Sequence, residues 1–305
     1  MPLLDALRAV TSFSPPASLP ECDLALLADV LEAHGLAPLA SHNVENRPLG
    51  AGLPDGFRER LLTSYQGVVN DTLIKLLALR RLLREADDVP VVFLEAVAYL
   101  DWLYPHMAYR PVGDLRLALR GEDGARFAER VKGALELVRT EHEGRTAVFT
   151  DGTLTLVCQE GLFAGAPADA PLFARAVPYR VFGAAAHRPS AEDAVLSTVG
   201  EQALQGLLAP LLTYVDLREL LRLELDAGYL AARAAALGLS RALHGATLLA
   251  AHFFPEVADA AARLRPPLSF GERVAVERVV EAAKDPARLR HLRGVDQAAR
   301  LVVAP

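Results

Sequence analysis

The sequence predicts an α+β protein, in which helices flank a small mixed β-sheet and the C-terminal half is helical. Three observations lead to this prediction. Over the first 90 residues or so, most apolar side chains recur at three- and four-residue intervals, as they do in helices. Short apolar or alternating runs, typical of strands, follow up to residue 158. Beyond Pro189 the strand signals vanish and helical spacing returns.

Composition limits the classes of protein to consider. The chain has 305 residues, of which 52% are hydrophobic and 23% charged, enough to build a sizeable core. Its formal net charge is −6 and its pI is about 5.8. A general nucleic-acid binder would carry a basic face, so this acidic balance argues against that class.

Membrane and secretory roles find little support in the sequence. Mean hydropathy is +0.21, but no apolar stretch reaches the roughly 18–20 residues of a spanning helix. Asp5 and Arg8 interrupt the N-terminal segment, which therefore does not resemble a secretory signal. Cys22 and Cys158 are too few for a disulfide framework or a zinc site. We therefore expect a cytoplasmic protein.

The N-terminal part is predicted to contain two helices separated by a loop. Residues 21–34 show helical spacing and stop at Gly35, a residue type that commonly follows a helix. Residues 37–54 are rich in polar and turn-forming residues, which predicts a loop. Asp55 then caps a long helix that extends through Arg84, about 30 residues or roughly 45 Å.

The middle of the chain alternates between strand and helix signals. Residues 91–94 form a short apolar run that predicts a buried strand, and residues 114–119 alternate as a half-buried strand does. Helical spacing predicts helices over 96–103 and 122–139. Two further strands, 146–150 and 153–158, flank Asp151-Gly152, a strong hairpin signal.

The C-terminal half is predicted to be entirely helical, with joins marked by Gly, Pro or Asp. Its predicted helices cover residues 191–208, 211–223, 226–236, 240–254 and 271–283. The sequence therefore divides into three parts. These are an N-terminal helix and loop (1–54), an α/β core (55–185) and a helical domain (186–305).

One set of motif residues connects this layout to a known family. Between residues 91 and 119 the sequence reads VVFLEAVAYLDWLYPHMAYRPVGDLRLAL. It resembles the uncharacterised nucleotidyltransferase family of the polymerase-beta-like superfamily, which is found in bacteria. The resemblance extends from about residue 20 to about residue 265, including a helical aspartate within 213–217. The matching motif positions are Leu94, Leu103-Tyr104-Pro105, Arg110-Pro111 and Asp114.

The resemblance implies a sheet of nucleotidyltransferase type and a particular chemistry. Nucleotidyl transfer uses two divalent cations that bridge the nucleotide phosphates and the reacting oxygens. Mg²⁺ prefers oxygen ligands, and two aspartates two positions apart on a strand place both carboxylates on one face. The family has this Asp-x-Asp pair, a third carboxylate on a later strand, and a Lys-Gly pair at a helix start that faces the phosphates.

The sequence departs from the family pattern at each of these points. Glu95-Ala96 replaces the Lys-Gly pair, and Arg116 replaces the second aspartate beside Asp114. The expected third carboxylate falls at or near Val157, which is apolar. The sequence therefore predicts a degenerate site at Asp114, Arg116 and Glu95, in which Arg116 pairs with Asp114 or Glu95 and no metal is held. Arg110 is the candidate for a nucleotide phosphate contact.

Three hypotheses for function follow. The first is a non-catalytic protein that needs no cofactor and acts as a binding or regulatory partner of another protein. The second is an active transferase that uses Mg²⁺ and a nucleoside triphosphate to modify a sugar, protein or RNA, with Asp114, Glu95 and Asp151 as rearranged ligands. The third is an unrelated α+β interaction protein. Simpler roles also remain, namely a solvated Asp114 and ion-paired Arg110 and Glu95.

Overall fold

Helices flank one mixed sheet in the computed structural model, which describes residues 2–135, 138–143, 146–152, 154–181, 183–287 and 296–305. Within these ranges, seven strands form the sheet in the order β3-β4-β5-β2-β1-β7-β6. The strands are β1 (Val92–Phe93), β2 (Leu115–Ala118), β3 (Val138–Glu143), β4 (Thr146–Thr150), β5 (Thr155–Gln159), β6 (Val177–Val181) and β7 (Ala184–Arg188). The predicted α+β fold with a mixed sheet is confirmed.

Strand β2 occupies a central position in the sheet. It pairs antiparallel with β1 on one side and parallel with β5 on the other. In the second pairing Arg116 lies opposite Val157. Strand β1 also pairs in parallel with β7. A side chain on β2 is therefore held by hydrogen-bonded neighbours on both sides.

The helices surround this sheet, and beyond β7 they are the regular elements of the described residues. They are α1 (Pro2–Thr11), α2 (Leu24–Ala33), α3 (Ala37–Asn46), α4 (Asp55–Glu85), α5 (Glu95–Tyr99), α6 (Gly124–Leu135), α7 (Ala170–Arg175), α8 (Ala191–Leu204), α9 (Leu211–Leu221), α10 (Ala227–Ala236), α11 (Ser240–Phe253), α12 (Ala258–Leu264), α13 (Phe270–Ala283) and α14 (Asp296–Val303). The predicted long helix α4 and the helical C-terminal half are confirmed.

The predicted hairpin is also confirmed. Strands β4 and β5 pair antiparallel across the Asp151-Gly152 turn. Gly152 has a φ of 89°, a left-handed conformation that favours glycine. The Asp151 carboxylate accepts a hydrogen bond of 2.7 Å from the backbone N–H of Leu154, which closes the turn. Residue 153, where the second strand was predicted to begin, lies outside the described residues.

The loop prediction for residues 37–54 is wrong in its first half, because α3 occupies that region. Pro38 stands in the first turn of α3, where a missing N–H is tolerated. Asn43 is buried and donates hydrogen bonds of 2.8 Å to the backbone carbonyls of Val10 and Ser12. Tertiary packing against α1 and α4 therefore outweighs the low helix propensity of this polar segment.

Two further predictions need correction in the α/β core. The predicted 122–139 helix ends at Leu135 as α6, and β3 begins at Val138; residues 136 and 137 lie outside the described part. Pairing with β4 makes residues 138–143 a strand despite their charged, ambiguous pattern. Strands β6 and β7 were not predicted, because the Ala-rich sequence of β7 is typical of helices.

The predicted division between residues 185 and 186 falls inside β7. Because β7 pairs with β1, it belongs to the sheet, and the helical half begins at Ala191 with α8. The division into separate domains stays a prediction. Among the described residues, no helix is both long enough and apolar enough to cross a bilayer.

Candidate functional site

Arg116, on the central strand β2, lies at the middle of the candidate site. Its Nη1 donates a hydrogen bond of 3.0 Å to Oε1 of Glu201, near the C-terminal end of α8. The same Oε1 accepts a bond of 3.1 Å from the backbone N–H of Ala164. Arg116 Nε lies 3.8 Å from Oε1 of Glu95. The guanidinium therefore lies between two carboxyl groups, one from α5 and one from α8.

Glu95 begins α5 with an unusual backbone conformation. Its φ is 49°, in the left-handed region that residues other than glycine seldom adopt. Its Oε1 is buried, and no residue in the described part of the chain gives it a hydrogen bond. Burial and the nearby Glu201 carboxylate raise the pKa of Glu95 to about 8, against the opposing effect of Arg116. Glu95 is therefore harder to ionise than an ordinary glutamate, and Glu201 is the carboxyl group that accepts the hydrogen bond from Arg116.

A second ion pair is buried beside the first. Arg110 and Asp216 expose only 8% and 2% of their side chains, and they form two hydrogen bonds of 3.2 Å (Nε to Oδ1) and 2.7 Å (Nη2 to Oδ2). The Tyr104 hydroxyl donates a third bond of 2.5 Å to Asp216 Oδ1. Burial opposes the charge on Arg110, but its contacts with Asp216 outweigh burial and raise its pKa.

This geometry bears on the predicted phosphate contact at Arg110. The third guanidinium nitrogen, Nη1, donates a bond of 2.6 Å to the carbonyl of Pro111. All three nitrogens thus have partners within the protein, and the side chain is buried. The simpler role that the sequence left open, an ion-paired arginine, is the arrangement observed. A role in nucleotide binding stays a prediction.

Asp114 does not join the cluster. It is exposed just before β2, and within the described part of the chain it makes neither a hydrogen bond nor an ion pair. Its negative charge helps to raise the pKa of Arg116 without a direct contact. Of the two partners predicted for Arg116, the structure places Glu95 next to it and leaves Asp114 apart.

A two-metal centre does not fit these residues. A cation, Arg116, stands where the resemblance expects the second carboxylate, and Val157 faces it on the neighbouring strand. Among the described residues, no group of three or more His, Cys, Asp or Glu side chains could hold a metal ion. The alternative ligand set of Asp114, Glu95 and Asp151 is therefore not assembled either.

Two members of the cluster were not predicted as site residues, Glu201 and Asp216. Asp216 lies in the segment matched to the family, but its partner Arg110 is 106 positions away. Glu201 lies 85 positions from Arg116 on a helix that is buried on nearly every side. One feature of the sequence could have indicated Glu201. A glutamate inside an otherwise buried helix usually has a charged partner.

Gly200 allows Glu201 to reach its position. A Cβ at this residue would lie 2.4 Å from Cδ1 of Phe163, and Phe163 is buried. The absence of a side chain lets the 162–164 segment approach α8, so that the Ala164 N–H meets Glu201.

Substitution of Gly200 by alanine is expected to destabilise the protein by about 1–3 kcal/mol, because the added methyl group overlaps the Phe163 ring. Urea denaturation of wild type and variant measures this. Gly67→Ala is the matched control, because no atom lies within 4 Å of its Cβ position in α4. That change should stabilise the helix by about 0.5–1 kcal/mol. Equal effects at the two positions would contradict the packing role of Gly200.

With the geometry established, comparison with known proteins identifies the family. A model of an uncharacterised nucleotidyltransferase family matches residues 20–255, more than half of the chain. The chain belongs to this family. The predicted resemblance to this family is thereby confirmed. Searches of curated proteins and of solved structures gave no match to the chain.

Family membership bears on the residues that form the second ion pair, Arg110 and Asp216. Tyr104 and Arg110 are two of the positions on which the sequence resemblance rests, and both contact Asp216. These contacts connect the segment before β2 to helix α9 of the helical half.

Proposed function

We propose that this nucleotidyltransferase-family protein is non-catalytic and acts by binding, as a regulatory or partner protein for another protein. The observation that carries the proposal is the Arg116–Glu201 ion pair, with the Glu95 carboxyl group 3.8 Å from the same guanidinium. A carboxylate would be needed at Arg116 to bind a divalent cation, and the guanidinium repels one instead.

The charges around the site support this proposal. Arg116 is neutralised by Glu201 and Arg110 by Asp216, so the cluster offers little unbalanced charge to a metal–nucleotide complex. Glu95 is anionic only above its raised pKa of about 8. The proposed protein uses no cofactor.

The buried contacts around Asp216 support a function other than catalysis. The buried contacts of Tyr104 and Arg110 with Asp216 maintain the family's arrangement around a site that lacks its metal ligands. A fold kept in this way can still present surfaces to a partner. A bacterial cytoplasmic setting is part of the proposal and is consistent with a sequence that has only two cysteines, Cys22 and Cys158.

The test is calorimetric binding of nucleoside triphosphates, with and without Mg²⁺, to wild type and Arg116→Asp. We expect no Mg²⁺-dependent binding by wild type. The variant restores an Asp-x-Asp pair with Asp114, and we expect it to gain Mg²⁺-dependent binding. Arg120→Asp makes the same charge change at an exposed residue just beyond β2 and should gain nothing. Binding that requires Mg²⁺ in wild type would contradict the proposal.

One observation favours the second hypothesis, an active Mg²⁺-dependent transferase acting on a sugar, protein or RNA. A carboxyl group whose pKa is raised to about 8, held next to a guanidinium, is suited to acid–base chemistry. In that case wild type releases pyrophosphate from a nucleoside triphosphate, and Asp114→Ala abolishes the release. Absence of release with every nucleoside triphosphate tested rejects this alternative.

A further inference from the structure

The outer face of helix α4 exposes an unusual number of apolar side chains. Leu62, Leu73, Ile74 and Leu77 are exposed to 37%, 40%, 59% and 48%. Among the described residues, only Phe270 and Leu301 are other large apolar side chains with comparable exposure. Soluble proteins seldom leave such a group uncovered along one element without a binding role.

Three of these four residues, Leu62, Leu73 and Leu77, belong to a regular stripe along the helix, and Ile74 lies about 60° outside its edge. At about 100° per residue, a set of positions along α4 falls within a sector of about 80° around the helix axis. The centre of this sector lies about 120° around the helix from the buried residues Leu61 and Leu79, and about 60° from the buried Leu76. The residues of this set, which we call the outer stripe, are Asp55, Glu59, Leu62, Gln66, Val69, Leu73, Leu77, Arg80 and Arg84.

The chemistry of the outer stripe changes along the helix. Its N-terminal end is acidic, with Asp55 and Glu59, and its middle is mainly apolar. Its C-terminal end is basic, with Arg80 and Arg84. Within the described residues, none of these four charged side chains has an ion-pair partner.

The spacing is also symmetric about the point between residues 69 and 70. Asp55 and Arg84 lie equally far from this point, as do Glu59 and Arg80. Leu62 and Leu77 form a third such pair of positions. An antiparallel copy of α4 centred there would place acidic residues against basic ones at both ends and leucines against leucines between them.

We propose that the chain forms a two-fold symmetric dimer through antiparallel packing of α4 against α4 of a second copy. A two-fold interface uses the same patch on both subunits, which requires self-complementarity of this kind. A parallel arrangement would instead bring Asp55 against Asp55 and Arg84 against Arg84. A different protein would require no symmetry within the stripe, so the symmetry favours a second copy.

Two charge-reversed variants of the full chain test the dimer by sedimentation velocity. The acidic variant carries Arg80→Glu and Arg84→Glu, and the basic variant carries Asp55→Arg and Glu59→Arg. Each variant alone faces like charges at both ends, so its dimer dissociation constant should rise more than about tenfold over wild type. In an equimolar mixture every charged pair is again attractive, so a heterodimer should form.

Controls separate the dimer from changes in folding or overall charge. The combination of Arg81→Glu with Arg263→Glu reverses two exposed charges off the outer stripe and should leave the dimer unchanged. Formation of the heterodimer also shows that both variants are folded. A wild-type chain that stays monomeric at its highest soluble concentration overturns the proposal and leaves the outer stripe to a different protein. A mixture of the two variants that stays monomeric overturns it as well.

Discussion

Replacement of Asp216 by alanine is expected to lower the free energy of unfolding by about 3–5 kcal/mol. Asp216 and Arg110 are almost fully buried, with 2% and 8% of their side chains exposed. The substitution removes the only carboxylate that Arg110 contacts directly among the described residues, and leaves a guanidinium charge buried without an anion. The Tyr104 hydroxyl loses its acceptor at the same time.

Urea denaturation of wild type and variants measures this effect. Glu45→Ala is the control, because its pair with Arg58 is partly exposed (31% and 38%) and should be worth at most about 1 kcal/mol. The double variant Arg110→Met/Asp216→Leu leaves no charge unpaired and should be more stable than Asp216→Ala. If Asp216→Ala costs no more than Glu45→Ala, the buried ion pair is not a major stabilising contact.

Replacement of Glu95 by glutamine is expected to stabilise the protein at alkaline pH by about 2–3 kcal/mol. The pKa of Glu95 is raised from 4.5 to about 8 in the folded protein, mainly by burial and then by Glu201. The protonated form thus favours folding, and this contribution is complete below about pH 4.5 and lost as the pH rises through about 8. One pKa unit corresponds to about 1.4 kcal/mol, and the 23% exposure of the side chain reduces the effect.

The measurement is urea denaturation of wild type and Glu95→Gln at several values between pH 4.5 and 9. The difference in unfolding free energy should be small at the acidic end and should grow with pH to a plateau above about 8. Glu129→Gln, at a glutamate exposed to 77%, controls for the charge change and should stay within about 0.5 kcal/mol of wild type. A difference that does not change with pH would show that folding does not raise the pKa of Glu95.

Local sequence patterns predicted the elements that local forces determine. Helix α4 follows from three- and four-residue spacing, and the β4–β5 hairpin follows from its Asp-Gly turn. Strand β7 was missed because its alanines favour a helix, and only pairing with β1 makes the segment extended. Helix α3 was missed for the opposite reason, since buried contacts of Asn43 stabilise a segment of polar residues.

Only part of the candidate site could be predicted, because the other part depends on contacts between residues that are far apart in the sequence. Glu95 and Arg116 could be associated because both lie in the motif segment, and they do lie side by side. Their third partner, Glu201, comes from a helix in the other half of the chain. Periodicity carries no information on contacts across such a distance in sequence. Asp216 was matched to the family as a position, but its pairing with Arg110 required the folded structure.

The central place of β2 has a consequence for how such a protein evolves. Hydrogen-bonded neighbours on both sides fix the direction of the side chain at position 116. A mutation there exchanges the functional group next to Glu95 and Glu201, while the backbone that holds it stays in place. The buried contacts around Asp216 do not involve this position. The side chain at position 116 can therefore be exchanged while those contacts still hold the segment before β2 against α9.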